Sequence, residues 1–205
     1  MTITEICKKF KTLYPERIKC MLNYTEPWQL LVSARLSAQC TDKRVNMVTP
    51  RLFAEYPTVT ALAVADVVAV AEIIKSCGLY KTKAEQIVAM CAEIVTGGIP
   101  DTIDGLTTLS GIGRKTANLF AGEIYGLPCV VCDTHLLRIT RRLALIGTDN
   151  PIIAEKALAK QLTDSGLYAD GLWFSHCMVT FGRTICTARN PKCGMCVFAD
   201  KCKGG

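Results

Sequence analysis

The 205-residue sequence predicts an all-α protein, and three observations carry that prediction. Apolar residues recur at helical spacing in about ten separate stretches. Sustained period-two alternation and strand-hairpin signals are absent. The stretches are joined by tight turns marked by glycine, proline and threonine, with no internal repeat, low-complexity tract or long linker between them. Any second domain is therefore expected to pack closely on the first.

The helices are read in chain order. Ile3, Ile6, Cys7, Phe10 and Leu13 share a face behind a threonine. Thr25 followed by Pro27 opens the second helix, with Trp28, Leu31, Val32 and Leu36 on one side. Thr41 caps the third, striped by Val45, Val48, Leu52 and Phe53 and ended by Pro57. Residues 66–77, DVVAVAEIIKSC, are rich in β-branched residues that favour strands, yet they end in Ser-Cys-Gly as a helix with a glycine stop does. Helix is the reading adopted. In KTKAEQIVAMCAEIV (81–95), Ala84, Ile87, Val88, Cys91, Ile94 and Val95 fall on one face before Gly97-Gly98. A helix over about 102–109, a Gly111-Ile112-Gly113 turn and a helix over 115–125 follow, the last ended by Gly126 and Pro128. Asp133 precedes a helix that turns Leu136, Leu137, Thr140, Leu143 and Ala144 inward, and Asn150-Pro151 opens the next. The final helix, about 169–181, is expected to stop at Gly182.

Composition narrows the class of protein. Hydrophobic content of 50% with 20% charged residues is that of a folded globular chain. No apolar run reaches membrane-span length, and the N-terminal MTITEICKKFKTLYPERIK lacks the apolar core of a signal peptide, so a cytoplasmic protein is expected. The net charge of +6 permits a polyanionic partner, with Arg138, Arg141 and Arg142 close together and Arg183, Arg189, Lys192, Lys201 and Lys203 crowding the C-terminus. Twelve cysteines without a secretory signal suggest reduced thiols or metal ligation and not a disulfide framework. Eight of them (Cys7, Cys20, Cys40, Cys77, Cys91, Cys129, Cys132 and Cys177) are scattered and read as small core residues.

The other four, Cys186, Cys193, Cys196 and Cys202, form C-x6-C-x2-C-x5-C, with Pro191 and Gly194 supplying bends. A tetrathiolate site of this kind fits zinc or an iron-sulfur cluster, and the single C-x2-C pair leans away from zinc. Its basic rim is expected to face something acidic. In LSGIGRKTAN (109–118), Arg114 separates Gly113 from Lys115, which rules out a nucleotide P-loop. Two glycines let the backbone approach a ligand, and the amides opening the second helix, with the positive end of its dipole, suit a DNA phosphate. A plain αα-corner fits a lone Gly-x-Gly equally well. Lys115, in the first turn, sits where the dipole disfavours positive charge, so it should lose its proton more readily than a surface lysine and act as a nucleophile. Asp133, at a helix start, would be held ionised by amide hydrogen bonds and could stabilise an oxocarbenium-like sugar. His135 is read as a buried histidine.

LSAQCTD (36–42), GLYKTKA (78–84), LSGIGRKTAN, VCDTHLLR (131–138) and FGRTIC through the cysteine loop (181–202) together resemble the endonuclease III family of DNA base-excision glycosylases. The resemblance implies a two-domain helix-hairpin-helix DNA glycosylase fold: a six-helix barrel over 20–127 carrying the hairpin, and an iron-sulfur cluster domain built from 1–19 and 128–205, with DNA in the cleft between them. It implies a 4Fe-4S cluster on Cys186, Cys193, Cys196 and Cys202. It also implies a monomeric, nucleoid-associated enzyme that binds double-stranded DNA carrying a damaged base or abasic site and flips out an oxidised or damaged pyrimidine. Lys115 would attack the sugar C1′, displace the base and form a Schiff base whose β-elimination cuts 3′ to the site, assisted by Asp133. Gln39 would fill the gap left by the flipped nucleotide, Leu79 would be the wedge, and Gly111, Gly113 and Arg114 would meet the DNA backbone. The chain departs from the family pattern at Ser110, where proline is usual, at Ile112, where valine is usual, and at Cys40 and Cys132, where small or apolar residues are usual. Adenine mismatch glycosylases share the hairpin and cluster but normally lack the hairpin lysine, and a non-catalytic DNA-binding module would leave the pairing of Lys115 with Asp133 unexplained.

Overall fold

The computed structural model describes Met1–Gly204, and among these residues there are eleven α-helices, four short 3-10 turns and no strand. The chain forms two compact units: Cys20–Tyr125, and Met1–Lys19 together with the chain from Gly126 onward.

Helix α1 (Ile3–Leu13) opens on a capping box in which Thr2 Oγ1 accepts from the Glu5 amide and Glu5 returns the bond to the Thr2 amide. It buries Ile3, Ile6, Cys7 and Phe10, the face read from the sequence.

The Cys20–Tyr125 unit is built around α2 (Pro27–Leu36), of which Leu30, Leu31, Val32 and Leu36 are wholly buried. It starts at Pro27, where the Thr25-x-Pro27 pattern places a helix start. Glu26 is the N-cap, and the Gln29 side chain reaches back to accept from the amides of Thr25 and Glu26 and from the Thr25 hydroxyl. Helix α3 (Asp42–Glu55) is capped by Thr41 as expected and continues through Pro50, an exposed position in its interior. Helix α4 (Val59–Ala63) is a single turn that the sequence reading passed over. It is too short to show a periodicity, and the Thr58 cap makes it. Helix α5 (Val67–Ile74) confirms the helical reading of the β-branched stretch, since Asp66 caps its start and Val70, Ala71 and Ile74 face the core. A 3-10 turn, Lys75–Cys77, leads through Gly78 and Leu79 into α6 (Tyr80–Gly97), which packs on α4 and α5.

Helix α7 (Ile103–Leu106) is shorter than the expected 102–109. The Thr107 and Thr108 hydroxyls bond the carbonyls of Asp104 and Gly105, which ends the helix there. Helix α8 (Arg114–Tyr125) completes the hairpin and packs against α7 and α2.

In the other unit α9 (Thr134–Arg142), α10 (Pro151–Asp164) and α11 (Gly171–Thr184) join α1. Phe10, Phe181 and Phe198 pack edge to face at 5.3–5.7 Å between ring centroids, which ties α1 and α11 to the cysteine loop. The expected stop at Gly182 is corrected. Gly182 lies inside α11, buried, where an added Cβ would stand 2.7 Å from His135 Nδ1 and 2.8 Å from His135 Cβ. It is a close-approach glycine that lets α11 sit against α9. Of the eight scattered cysteines, Cys20 and Cys40 are only half-buried, and the other six are core residues.

Candidate functional site

The hairpin residues have separable roles. Gly111 adopts φ 76°, and a Cβ there would meet Arg35 Nε at 2.7 Å and Gln86 Oε1 at 2.8 Å, the two atoms of a 2.7 Å hydrogen bond. Its missing side chain is thus required inside the unit. Gly113 has a φ outside the left-handed region and nothing within 4 Å of a Cβ. Between them Ile112 is buried and its amide donates to Leu109. Ser110, in place of the family's proline, donates both its amide and its hydroxyl to the Glu93 carboxylate, at 2.8 and 2.6 Å. Two hydrogen bonds to α6 thereby replace a rigid ring in holding the turn.

Arg114 opens α8 and pairs with Asp104 at 2.9 Å on the surface. Lys115 follows it, exposed in the first turn and without a hydrogen bond or ion pair among the described residues. The buried face of the helix, Ala117, Asn118, Phe120 and Ala121, leaves that lysine pointing outward.

Gln39 and Leu79 share a backbone feature that the sequence did not show. They have φ 54° and 48°, and with Ala144 they are the non-glycine residues of positive φ among those described. Both side chains are exposed, Leu79 by 58%, which is unusual for a leucine in a strained turn.

Asp133 is in the other unit, as the N-cap of α9, where its Oδ1 accepts from the Leu136 amide at 2.8 Å. The extended entry before it is pinned by Ser175, whose hydroxyl accepts from the Val131 amide and donates to the Gly171 carbonyl. Gly171 is obligatory there, because a Cβ would lie 2.4 Å from the Cys129 carbonyl oxygen. Cys132 is buried, and burial, followed by the charges of Glu155 and Asp133, pushes its thiol up to about 12. It is therefore an inert, protonated neighbour of Asp133 at neutral pH. His135 is half-buried with Nδ1 3.1 Å from Arg138 Nη2, and burial lowers its pKa, so the imidazole is neutral and structural.

The cysteine loop encloses a cavity of about 220 Å³ lined by Cys186, Cys193, Cys196 and Cys202 together with Arg142, Ile185, Pro191 and Lys192. Among the described residues no three His, Cys, Asp or Glu side chains converge on a single-ion position. One tetrahedral zinc would need its sulfurs about 3.8 Å apart, from a Zn–S bond of about 2.3 Å. Four thiols spread around a cavity suit a multi-metal cluster better.

Two arginines that read from sequence as a polyanion-binding group are turned onto this loop instead. Arg138 donates to the carbonyls of Gly182 and Cys186, at 3.0 and 2.8 Å. Arg142 donates to Cys186 Sγ at 3.1 Å and to the carbonyls of Thr187 and Ala188. The third, Arg141, pairs with Asp149. The local pattern could not reveal the loop contacts of Arg138 and Arg142, whose acceptors there lie more than forty residues away.

Comparison with known proteins bears on both units. Residues 32–163 match the family model described as HhH-GPD superfamily base excision DNA repair protein, and residues 186–202 match the iron-sulfur binding domain of endonuclease III. Endonuclease III of Synechocystis sp. is 42% identical over 203 residues, covering 97% of this chain and 90% of that protein. A trapped covalent intermediate of endonuclease III with DNA, an estranged-adenine complex, superposes with a TM-score of 0.91 at 33% identity over 100% of this chain and 97% of that one. A non-covalent endonuclease III–DNA complex gives 0.92 at 33% identity over 98% and 94%.

Proposed function

We propose a course of reaction for this chain, which belongs to the endonuclease III family of helix-hairpin-helix base excision DNA repair proteins. It is a DNA glycosylase and AP lyase that carries an iron-sulfur cluster. The observation that carries the assignment of residues is the mouth of the hairpin. A Cβ on Gly113 would meet nothing within 4 Å, and two residues later Lys115 is exposed in the first turn of α8.

DNA phosphate sits against the amides that open α8, where the missing Cβ of Gly113 allows contact and the helix dipole favours an anion. Arg114 exchanges Asp104 for phosphate at small cost, since an exposed ion pair is worth about 0–1 kcal/mol. The damaged pyrimidine nucleotide leaves the stack, and Gln39 and Leu79, held outward by their left-handed backbones, occupy the gap.

Lys115, as free amine, bonds through Nζ to C1′, and the C1′–N bond electrons leave with the base, which takes up a proton. The nitrogen loses a proton, the C1′–O4′ bond opens, and a Schiff base results. Removal of a C2′ proton then drives elimination of the 3′ phosphate through cleavage of C3′–O, and water hydrolyses the imine to release Lys115. Asp133, whose Oδ1 accepts from the Leu136 amide at the start of α9, stabilises positive charge at C1′ and assists the proton transfers.

Cys186, Cys193, Cys196 and Cys202, which line one cavity, would hold the 4Fe-4S cluster. When bound it supplies four iron–thiolate bonds that staple the loop. Arg142 donates a hydrogen bond to one of those sulfurs and clamps the loop backbone. The chain acts on duplex DNA as a monomer.

The test is borohydride trapping on duplex DNA containing an abasic site. The wild type should form a covalent adduct, Lys115→Ala should form none, and Asp133→Asn should form it far more slowly. Trapping that survives Lys115→Ala sinks the assignment.

A further inference from the structure

Lys83 is the one charged side chain among the described buried residues, with 0% exposure. Its Nζ donates to the carbonyl oxygens of Leu36 at 2.8 Å and Cys77 at 2.7 Å, and its backbone amide donates to the Leu79 carbonyl at 3.0 Å. The charged or titratable groups acting on it are the Cys40 and Cys77 thiols and the Arg35 guanidinium, none of them a carboxylate. Burial pushes its pKa down.

An ammonium buried without a counter-ion is costly, and a position that needed only filling would be better served by leucine or methionine. What lysine supplies here is one donor that reaches two helix ends. Leu36 closes α2 and Cys77 closes the 3-10 turn before α6, so both carbonyls are otherwise unpaired helix-end acceptors favoured by a cation. Gln39 stands three residues beyond the first and Leu79 two beyond the second, at φ 54° and 48°. Left-handed non-glycine residues persist only where their surroundings over-determine them.

We propose that Lys83 is a positioning residue for base extrusion: its buried ammonium fixes the separation of the two segments that carry Gln39 and Leu79, so that both side chains enter the vacated stack together. This rests on the reading of Gln39 and Leu79 as gap-filling residues. The lysine touches no DNA. It acts by holding two segments at one distance, and its own amide, bonded to Leu79, ties the wedge to the same helix turn.

The test uses the full-length cluster-containing protein and two substrates: duplex DNA with one oxidised pyrimidine, and single-stranded DNA with an abasic site, which has no stack to fill. Lys83→Met should lower kcat/KM on the duplex by about tenfold or more, the scale of a small misplacement, while single-strand trapping stays within about twofold. A merely structural defect would lower both together. In a Gln39→Ala, Leu79→Ala background, Lys83→Met should add nothing further. If that background alone leaves duplex excision unchanged, the gap-filling reading itself fails. If it lowers excision and Lys83→Met lowers it again by the full factor, the positioning role is overturned. Should Lys83→Met not fold, Lys83→Gln, which keeps an amide donor on a shorter stem, carries the same cycle. Failure of both variants to fold would assign the lysine to stability alone and overturn the proposal.

Discussion

Gly111→Ala and Gly113→Ala should separate stability from DNA binding, although only one residue lies between them. At Gly111 a methyl group must accept φ 76°, at about 1–2 kcal/mol for an L-residue in left-handed geometry. It must also displace the Arg35–Gln86 hydrogen bond, whose atoms stand 2.7 and 2.8 Å from the new Cβ, and a bond to a charged group is worth about 1.5–3 kcal/mol. The sum, about 2.5–5 kcal/mol, is a large part of the roughly 5–15 kcal/mol by which a folded protein is stable. Gly113→Ala meets no atom within 4 Å and no positive φ, so its stability should change by less than about 1 kcal/mol. In the proposed docking its methyl group instead stands where phosphate would approach the amides. Loss of one charge-assisted hydrogen bond of about 1.5–3 kcal/mol weakens binding by roughly ten- to a hundredfold. Urea denaturation gives the first quantity, and fluorescence anisotropy with labelled duplex at fixed salt gives the second. Equal destabilisation by both substitutions, or wild-type affinity in Gly113→Ala, would refute the division of roles.

Three further outcomes are expected. Arg142→Met removes the hydrogen bonds to Cys186 Sγ, Thr187 O and Ala188 O while keeping most of the stem, so the visible absorption of the cluster should bleach faster under a chelator, and an unchanged rate would contradict the clamp. Gly182→Ala drives a methyl group to 2.7 Å from His135 Nδ1 and 3.0 Å from Arg138 Nη2; overpacking of about 2 kcal/mol should lower the melting temperature by about 4–8 °C, and an unchanged value would mean that α9 and α11 have room to part. Burial raises the Cys91 thiol from 9.0 to about 12, so between those values the folded state binds a proton that the unfolded state has lost, and stability must fall as pH rises through this window. In Cys91→Ala the fall measured by urea midpoints should be shallower by up to about 1.4 kcal/mol per pH unit, and an unaltered slope would mean that the thiol ionises freely in the fold.

What was legible in the sequence was what neighbours along the chain decide. Thr2, Thr41, Asp133 and Asn150 cap helices because a side-chain oxygen reaches an amide two or three residues on, and that can be read locally. The helical character of 66–77 was legible for the same reason, because the Asp66 cap and the apolar spacing outweigh the strand preference of valine. The reading failed where a local signal was overridden from afar. Gly182 reads as a helix stop until His135 is packed against it, and Arg138 and Arg142 read as a basic surface until the loop carbonyls are brought to them. Nothing within GLYKTKA marks Lys83 as buried, because its Leu36 acceptor lies 47 residues away.

By itself the sequence determined the helical class, the cysteine spacing that marks a metal loop, and the Gly-Ile-Gly turn followed by a lysine, each written within a few residues. Tertiary structure alone decided that a Cβ at Gly111 would meet Arg35 and Gln86 while one at Gly113 would meet nothing. It also decided that Ser110 is anchored by Glu93, and that a buried ammonium joins Leu36 to Cys77. The physical reason is sequence separation. Lys83 lies 47 residues from Leu36, Arg142 lies 44 from Cys186 and Arg138 lies 48 from it, and no periodicity or cap spans such distances. Those contacts exist because burying the apolar faces of the helices brings distant segments together, and the polar groups carried along must then find partners where the packing has placed them.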